Sequence, residues 1–295
     1  MNGKGRTKTF LISLIILLLL SSSIILGISN LRLRHRISEL NSNNDVSAEG
    51  DEAGVYSVSE VTVAPSDIGD EAADPSEDKV KKIYLTFDDG PGENTEDILE
   101  ILREYDVKAT FFVCGNKAEK YTPLYKEIVD EGHSIGMHSY THVYSEVYAS
   151  LDAFSEDLSK LQEFIYENTG VWSRLYRFPG GSSNSVSTTP MIEFIDYLND
   201  EGIVYFDWNI ASNDAVEGYV SKETIIDNCT RNLDKYDECV ILLHDLPEKK
   251  TTVEALKELI PMLQAMDNVE ILPITDETVP VQHVSVDGTV DHTNE

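Results

Sequence analysis

The chain is poor in cysteine, with three in 295 residues, and in basic side chains, with 23 Lys and Arg against 53 Asp and Glu. Cys114, Cys229 and Cys239 are too few and too scattered for a disulfide framework or a cysteine zinc site. They read as small buried hydrophobes, although Cys229 and Cys239 would be able to pair if their geometry allowed it. A net charge of −30 leaves no basic footprint, which argues against nucleic acid as a partner. The acidity itself reports solubility and repulsion and identifies no substrate. No internal repeat is present.

Charge is missing altogether from Phe10 to Ile28, FLISLIILLLLSSSIILGI, a run close to the roughly 20 apolar residues that cross a bilayer. Lys4, Arg6 and Lys8 precede it, but a small-residue cleavage site does not follow, so an uncleaved single-pass anchor is expected. Arg32, Arg34 and Arg36 lie beyond the span, and with basic residues on both sides its orientation must come from function. Residues 37–78 lack Lys and Arg, carry twelve Asp or Glu and contain a single aromatic, Tyr56. Such a stretch cannot bury enough apolar area to fold and reads as a disordered, self-repelling spacer. The expected organisation is an anchor with basic flanks over 1–36, an acidic spacer over 37–78, one folded domain over 79–276 and a flexible tail over 277–295.

What is present over 79–276 is strict alternation. Strands are predicted at Lys82–Phe87, Ala109–Val113, Ser134–Met137, Leu175–Phe178, Val204–Ile210, Cys239–Leu243 and Val269–Ile274. Helical periodicity lies between them at Thr95–Tyr105, Thr122–Glu131, Leu151–Asn168, Thr189–Glu201, Lys222–Tyr236 and Val253–Met266. Gly132, Gly170 and Gly202 each fall just past a helix, where a left-handed residue ends the turn. Parallel neighbours need long crossovers, so the class is α/β and seven strands suggest a distorted (β/α)7-type barrel. Reactive groups in such barrels gather where strands end.

The polar clusters obey that rule. TFDDGP places Asp88 and Asp89 at the first strand exit, where two adjacent carboxylates repel unless a cation takes one and leaves the other to accept a proton. HSYTH supplies His138 and His142, four apart and able to reach one metal if the segment turns helically. With one carboxylate they would form a two-histidine, one-carboxylate face. RFPGGS ends the fourth strand with Arg177, suited to hold a carboxylate, and with Gly180 and Gly181, whose amides can approach a ligand closely. His244 ends the apolar run ILLHD, and Asp214 in WNIASNDA is placed to fix its tautomer and keep it protonated. Each cluster alone has an ordinary structural explanation: a surface turn, a polar core pair, an exposed arginine or a satisfied core histidine.

Taken in order, these five motifs resemble those of the polysaccharide deacetylases, carbohydrate esterase family four, over about residues 80–276. The resemblance implies a distorted barrel and metal-assisted hydrolysis of an acetamide, or of an acetate ester in some members. It implies Asp88 as the base, Asp89, His138 and His142 as metal ligands, and Arg177 as the group orienting the base. His244 matches the acid and Asp214 its partner, the Gly180 amide the oxyanion donor, and Leu242 the residue that cups the acetyl methyl. Two positions depart from the pattern: Gly180 stands where an aromatic commonly follows the motif-three proline, and Ala215 where a tryptophan follows the motif-four aspartate. Trp172, Tyr144 and Trp208 are the candidates to supply stacking in their place, with core packing the commoner use.

The implied cofactor is one divalent ion, zinc first, with cobalt, nickel or manganese as alternatives. An anchor, a spacer of about forty residues reaching on the order of 130 Å and this domain point to a monomeric enzyme held at the cell membrane, facing outward to a wall polysaccharide. Peptidoglycan N-acetylglucosamine is the first substrate; chitin oligomers, an exopolysaccharide and O-acetylated xylan are alternatives. Two other readings use the same residues. A non-haem iron oxygenase also employs two histidines and a carboxylate but leaves Arg177, Asp214 and His244 without a task. A silent wall-binding protein would be expected to have lost a ligand or the base, and all are present.

Overall fold

The computed structural model describes residues 80–115, 118–285 and 288. The expected membrane span Phe10–Ile28 and the spacer over 37–78 lie outside the described residues, as does His292. Among the described residues no helix is long and apolar enough to cross a membrane.

From β1 (Lys81–Asp88) the chain runs through α1 (Thr95–Glu104), β2 (Thr110–Cys114), α2 (Thr122–Asp130), β3 (Ser134–Ser139), α3 (Tyr144–Val147), α4 (Leu151–Thr169) and β4 (Leu175–Tyr176). It continues with α5 (Met191–Asp200), β5 (Val204–Tyr205), β6 (Ile210–Ala211), α6 (Lys222–Thr230), β7 (Glu238–His244), α7 (Lys250–Gln264) and β8 (Val269–Ile271). Local chemistry sets several boundaries. Ser150 and Ser221 cap α4 and α6 by accepting the amides of Ala153 and Thr224. Gly132, Gly170 and Gly202 all take positive φ just past their helices, as expected. The predicted helix over Lys222–Tyr236 stops earlier, at Thr230, and a short 3-10 turn at Leu233–Lys235 follows.

All strand pairs are parallel, in the order β5-β4-β3-β2-β1-β7-β6. β7 pairs along β1 from Lys82 to Asp88, so β2 and β8 share the other edge: β8 at Lys81–Ile83 and β2 at Thr86–Asp88. The predicted strand Val204–Ile210 is in fact two, and its halves lie on opposite edges of the sheet. Phe206 still donates to Tyr176 O at 2.8 Å, but the Asp207 amide turns away to Val281 O at 2.7 Å and Asn209 reaches Val240 O at 3.2 Å. Only residues 206–209 join the two edges, so these are no more than about 18 Å apart. The sheet therefore curls into a barrel closed by a crossing segment instead of a ladder, which is its distortion.

Alternation along the strands divides the apolar residues in two. Ile83, Leu85, Phe87, Phe111, Val113, Ile241 and Leu243 pack outward into the main core beneath the helices. Tyr84, Phe112, Leu175, Phe206 and Val240 form a small cluster inside the barrel. Beyond that cluster the same inward rows turn polar, with Thr86 and Asp88 on β1 and His244 in register with Asp88 on β7. All three cysteines are free, with Cys229 and Cys239 buried and Cys114 partly so.

The segment expected as a flexible tail behaves otherwise over its described part. His283 and Val284 are buried, and the Val284 amide donates to Ser182 Oγ at 3.0 Å. Polar groups on the barrel edge, absent from any local pattern, hold it there.

One buried histidine couples the fold to pH. The Ala109 amide donates to His133 Nδ1 at 3.1 Å, so the ring proton sits on Nε2, which is buried without a hydrogen bond, 3.9 Å from Glu131 Oε2. Burial, and then the nearby Lys108, push this imidazole down to about 4. The unfolded chain takes up that proton near the ordinary 6.5 and the folded chain does not, so stability falls as pH drops from 6.5 towards 4, by roughly 3 kcal/mol at most. Urea denaturation of His133→Gln should lack that part of the decline. An unchanged pH slope would remove His133 from the account.

Candidate active site

β1 ends on two acids that the backbone sends to different partners. Asp88 is the last strand residue, and its Oδ1 accepts Arg177 Nη1 at 2.9 Å. Asp89 follows with φ of +76°, a left-handed turn that a short polar side chain tolerates. Arg177, just past β4, is fully buried and uses its guanidinium as a four-way tie. Nε donates to Phe206 O at 2.9 Å, Nη1 also to Thr86 Oγ1 at 2.7 Å, and Nη2 to Asp207 O at 2.9 Å. Its carbon lies 4.2 Å from the centre of the Phe112 ring. One oxygen of Asp88 is thus occupied, and the other, Oδ2, faces His138 Nε2 at 3.8 Å.

The donor atoms of Asp89, His138 and His142 lie within 4.8 Å of one another. His138 Nδ1 is 2.8 Å from Arg177 O; a carbonyl only accepts, so the ring proton is on Nδ1 and the Nε2 lone pair is free. Asp89 Oδ1 stands 3.0 Å from His142 Nε2 and 3.5 Å from His138 Nε2, yet is buried without a hydrogen bond. An orphaned carboxylate oxygen facing a fixed imidazole lone pair fits a divalent cation, and the donor set, two nitrogens and one oxygen, suits zinc. Titration reflects the same charge. Burial pushes Asp89 up, but His142 and His138 outweigh it and hold the carboxyl at about 2. Burial lowers His138, whereas at His142 the Asp89 carboxylate overcomes burial and raises the imidazole.

The two histidines are not on a helix, as their spacing suggested. His138 belongs to β3 and His142 ends a turn with φ of +54°. The turn is pinned from two sides. Ser139 Oγ accepts the His142 amide at 2.8 Å, and Asp157 of α4 accepts the amides of Tyr140 at 2.8 Å and Thr141 at 3.0 Å. Asp157 was not foreseen, although an acid one turn from Phe154 and Leu161 on the buried helix face was its available signal.

Across the barrel mouth, His244 ends β7 and Asp214 follows β6. Asp214 Oδ1 lies 2.7 Å from His244 Nδ1 and also accepts Ser212 Oγ at 2.8 Å. Its Oδ2 accepts the His244 amide and Thr252 Oγ1, each at 2.9 Å. Burial disfavours charge on both partners, yet the pair overcomes it: Asp214 is lowered and His244 raised. Leu242 shares the inward row of His244 and belongs to neither apolar cluster. Gly180 is exposed, has φ of +78°, and its amide makes no hydrogen bond among the described residues. A Cβ there would come 3.2 Å from the Tyr144 ring, so a side chain would be strained and crowded.

The residues given catalytic, oxyanion or ligand roles from sequence therefore fall on one rim, and the structure adds Thr86, Asp157 and Asp207. The stacking candidates divide. Tyr144 packs edge-on to His142 with centroids 5.7 Å apart, and Trp208 lies 5.8 Å from the Arg177 guanidinium. Trp172 instead precedes β4 and lines a cleft with Ser134 and Leu175 at the strands' N-terminal ends, away from this rim.

Comparison with known proteins agrees with the geometry. The polysaccharide deacetylase profile matches residues 76–194, which include the two acids, both histidines, Arg177 and Gly180 but not Asp214 or His244. A peptidoglycan-N-acetylglucosamine deacetylase of Bacillus cereus is 33% identical over 60% of this chain and 64% of its own length, so the chain spans less than two thirds of that relative. Another of the same name from Bacillus cereus is 31% identical over 64% of this chain and 84% of its own length. The crystal structure of the catalytic domain of peptidoglycan N-acetylglucosamine deacetylase from Eubacterium rectale superposes with a TM-score of 0.66 at 36% identity, covering 72% of this chain and 97% of that one.

The ligand geometry predicts that His138→Ala lowers zinc affinity by roughly two orders of magnitude or more, since one of three protein ligands is lost. Asp88→Asn should leave it within a few-fold, because Arg177 can still donate to the amide oxygen. Competition with a chromophoric chelator measures both. Tight binding by His138→Ala would overturn the ligand assignment.

Proposed function

The chain belongs to the polysaccharide deacetylase family, and on that premise we propose that it removes acetyl groups from N-acetylglucosamine units of peptidoglycan with the help of one divalent cation. The observation that carries this reading is the division of two neighbouring acids. One is locked to a buried guanidinium and the other faces two imidazoles, with a histidine paired to a buried aspartate across the mouth. The named relatives support the substrate, and the acidic spacer and apolar N-terminal run support placement of the domain outside the cell on a membrane anchor.

A cation held by Asp89, His138 and His142, zinc by the donor set, would supply a Lewis acid and lower the pKa of a water. This chain's own groups handle the rest. Asp88 presents Oδ2 to the water and accepts its proton as the oxygen attacks the acetyl carbonyl carbon. Arg177 holds Oδ1 so that the basic oxygen stays aimed. The Gly180 amide donates to the oxygen on which charge develops. When the carbon–nitrogen bond breaks, His244 gives its proton to the leaving nitrogen, and Asp214 stabilises the imidazolium until that moment. Leu242 offers an apolar surface to the acetyl methyl. Acetate and a glucosamine unit are the products.

Acetate release from peptidoglycan, chitin oligomers, an exopolysaccharide and acetylated xylan, with and without chelator, tests the assignment. Peptidoglycan should be turned over best, and chelator should abolish the activity. Release from xylan alone would make the protein an O-acetyl esterase, and release from none would make it a wall-binding relative.

The acid's role gives a signed pH dependence. Asp214 raises the His244 pKa, and turnover needs His244 protonated, so activity should fall on the alkaline side. Asp214→Asn removes the charge that favours imidazolium, so this limb should move to lower pH while kcat falls by roughly 10² or more. An alkaline limb that does not move would mean another group donates the proton.

A further inference from the structure

Asp207 takes part in none of the steps above, yet it is fully buried and joins three parts of the site. Its carbonyl accepts Arg177 Nη2 at 2.9 Å. Its Oδ1 accepts the Ser182 amide at 2.8 Å, two residues past Gly180, and its Oδ2 accepts the Ser182 hydroxyl. The third side is the segment Val281–Val284. The Asp207 amide donates to Val281 O at 2.7 Å, and the His283 amide donates to Asp207 Oδ2 at 2.8 Å.

That segment is fastened at both ends of the crossing. His283 Nε2 lies 2.7 Å from Trp208 O and must donate to it, leaving Nδ1 to accept from the Ser183 hydroxyl at 3.4 Å. Val284 donates to Ser182 Oγ at 3.0 Å and accepts from Tyr205 Oη. Trp208 stands edge-on to His283, with centroids 4.9 Å apart. A Cβ at Gly181 would be 3.1 Å from that indole and 3.4 Å from Asp207 Oδ1. The glycine loop has φ of +78° at Gly180 and +81° at Gly181, a conformation with little intrinsic preference of its own. Tyr148 Oη donates to Pro179 O at 2.9 Å and Asn184 Nδ2 to Gly181 O at 2.8 Å, and Asp207 and the strap add the contacts that tie the loop to the crossing.

The geometry points to Asp207, clamped by the strap Val281–Val284, as the positioning residue of the oxyanion loop: it aims the Gly180 amide while its carbonyl steadies the guanidinium that holds Asp88. This rests on the deacetylase reading above and assigns work to a segment beyond the alternating pattern. A buried carboxylate whose acceptor sites are filled by Ser182 and His283 cannot become an amide without turning a donor towards one of them. Loop and strap then loosen together, and a donor aimed at developing charge loses its effect when displaced by a fraction of an ångström.

The test uses the full chain with zinc, comparing Asp207→Asn and the milder His283→Ala with wild type. Hydrogen exchange of the peptide spanning residues 178–184 should speed up in both variants. With acetate release measured, kcat should fall by about 10- to 10²-fold in Asp207→Asn at near-constant KM, with zinc affinity unchanged. Loss of zinc or of global protection in Asp207→Asn would make it a folding variant, and His283→Ala then decides by the same readouts. Unchanged exchange over 178–184, or faster exchange with unchanged kcat, overturns the proposal. A wild type silent on every substrate would sink the deacetylase reading instead, and the exchange result would still show whether the strap holds the loop.

Discussion

Arg177 carries a full charge where no water reaches it, and the barrel mouth is organised around satisfying that charge. A buried guanidinium is tolerable only if its donors are taken, and here they go to Asp88, Thr86 and the carbonyls of Phe206 and Asp207. Those four acceptors come from β1 and from the crossing between the sheet edges. Its own carbonyl accepts His138, on β3. One residue therefore sets the carboxylate that takes the proton, the tautomer of a metal ligand and the path of the segment that closes the barrel. Neutralising it would leave Asp88 buried and unpaired, a change that typically costs about 3–5 kcal/mol.

Around this tie, the reactive groups occupy backbone positions that the chain would not choose unaided. Asp89, His142, Gly180 and Gly181 all have positive φ. Two of these turns are held by contacts from distant elements: the ligand turn of His142 by Asp157 of α4, and the glycine loop by Asp207 and the strap. Such over-determination lets left-handed residues persist at a site, at on the order of 1 kcal/mol or more for each non-glycine. The rigid strands supply direction and the helices and strap supply restraint, so the reactive groups are preorganised before any substrate arrives.

Much of this was legible in the sequence, for identifiable reasons. Strand ends and reactive residues coincide because a parallel barrel gathers both on one face, and β1 and β7 announce themselves as apolar runs that stop at Asp88 and His244. The short strands were harder. Val204–Ile210 reads as one β-rich run, and nothing local tells that Asp207 leaves the ladder for Val281. His142 sits four residues from His138 but in a turn instead of a helix, because the spacing is blind to Asp157 pulling on the Tyr140 and Thr141 amides. The strap was invisible for a related cause: its order comes from polar partners 75 to 102 residues away, not from periodicity. Asp157 and Asp207 share the signal of an acid embedded among apolar neighbours.

The central claim is that the paired acids are divided, with Asp89 given to a cation together with His138 and His142, and Asp88 kept by Arg177 for the proton. X-ray absorption and anomalous diffraction from the zinc-loaded protein address it most directly. The account predicts one ion bonded to one Asp89 oxygen and to Nε2 of both histidines at about 2.0–2.2 Å, with the Asp88–Arg177 contact intact. An ion bonded to Asp88, or one that leaves either histidine unligated, would contradict it.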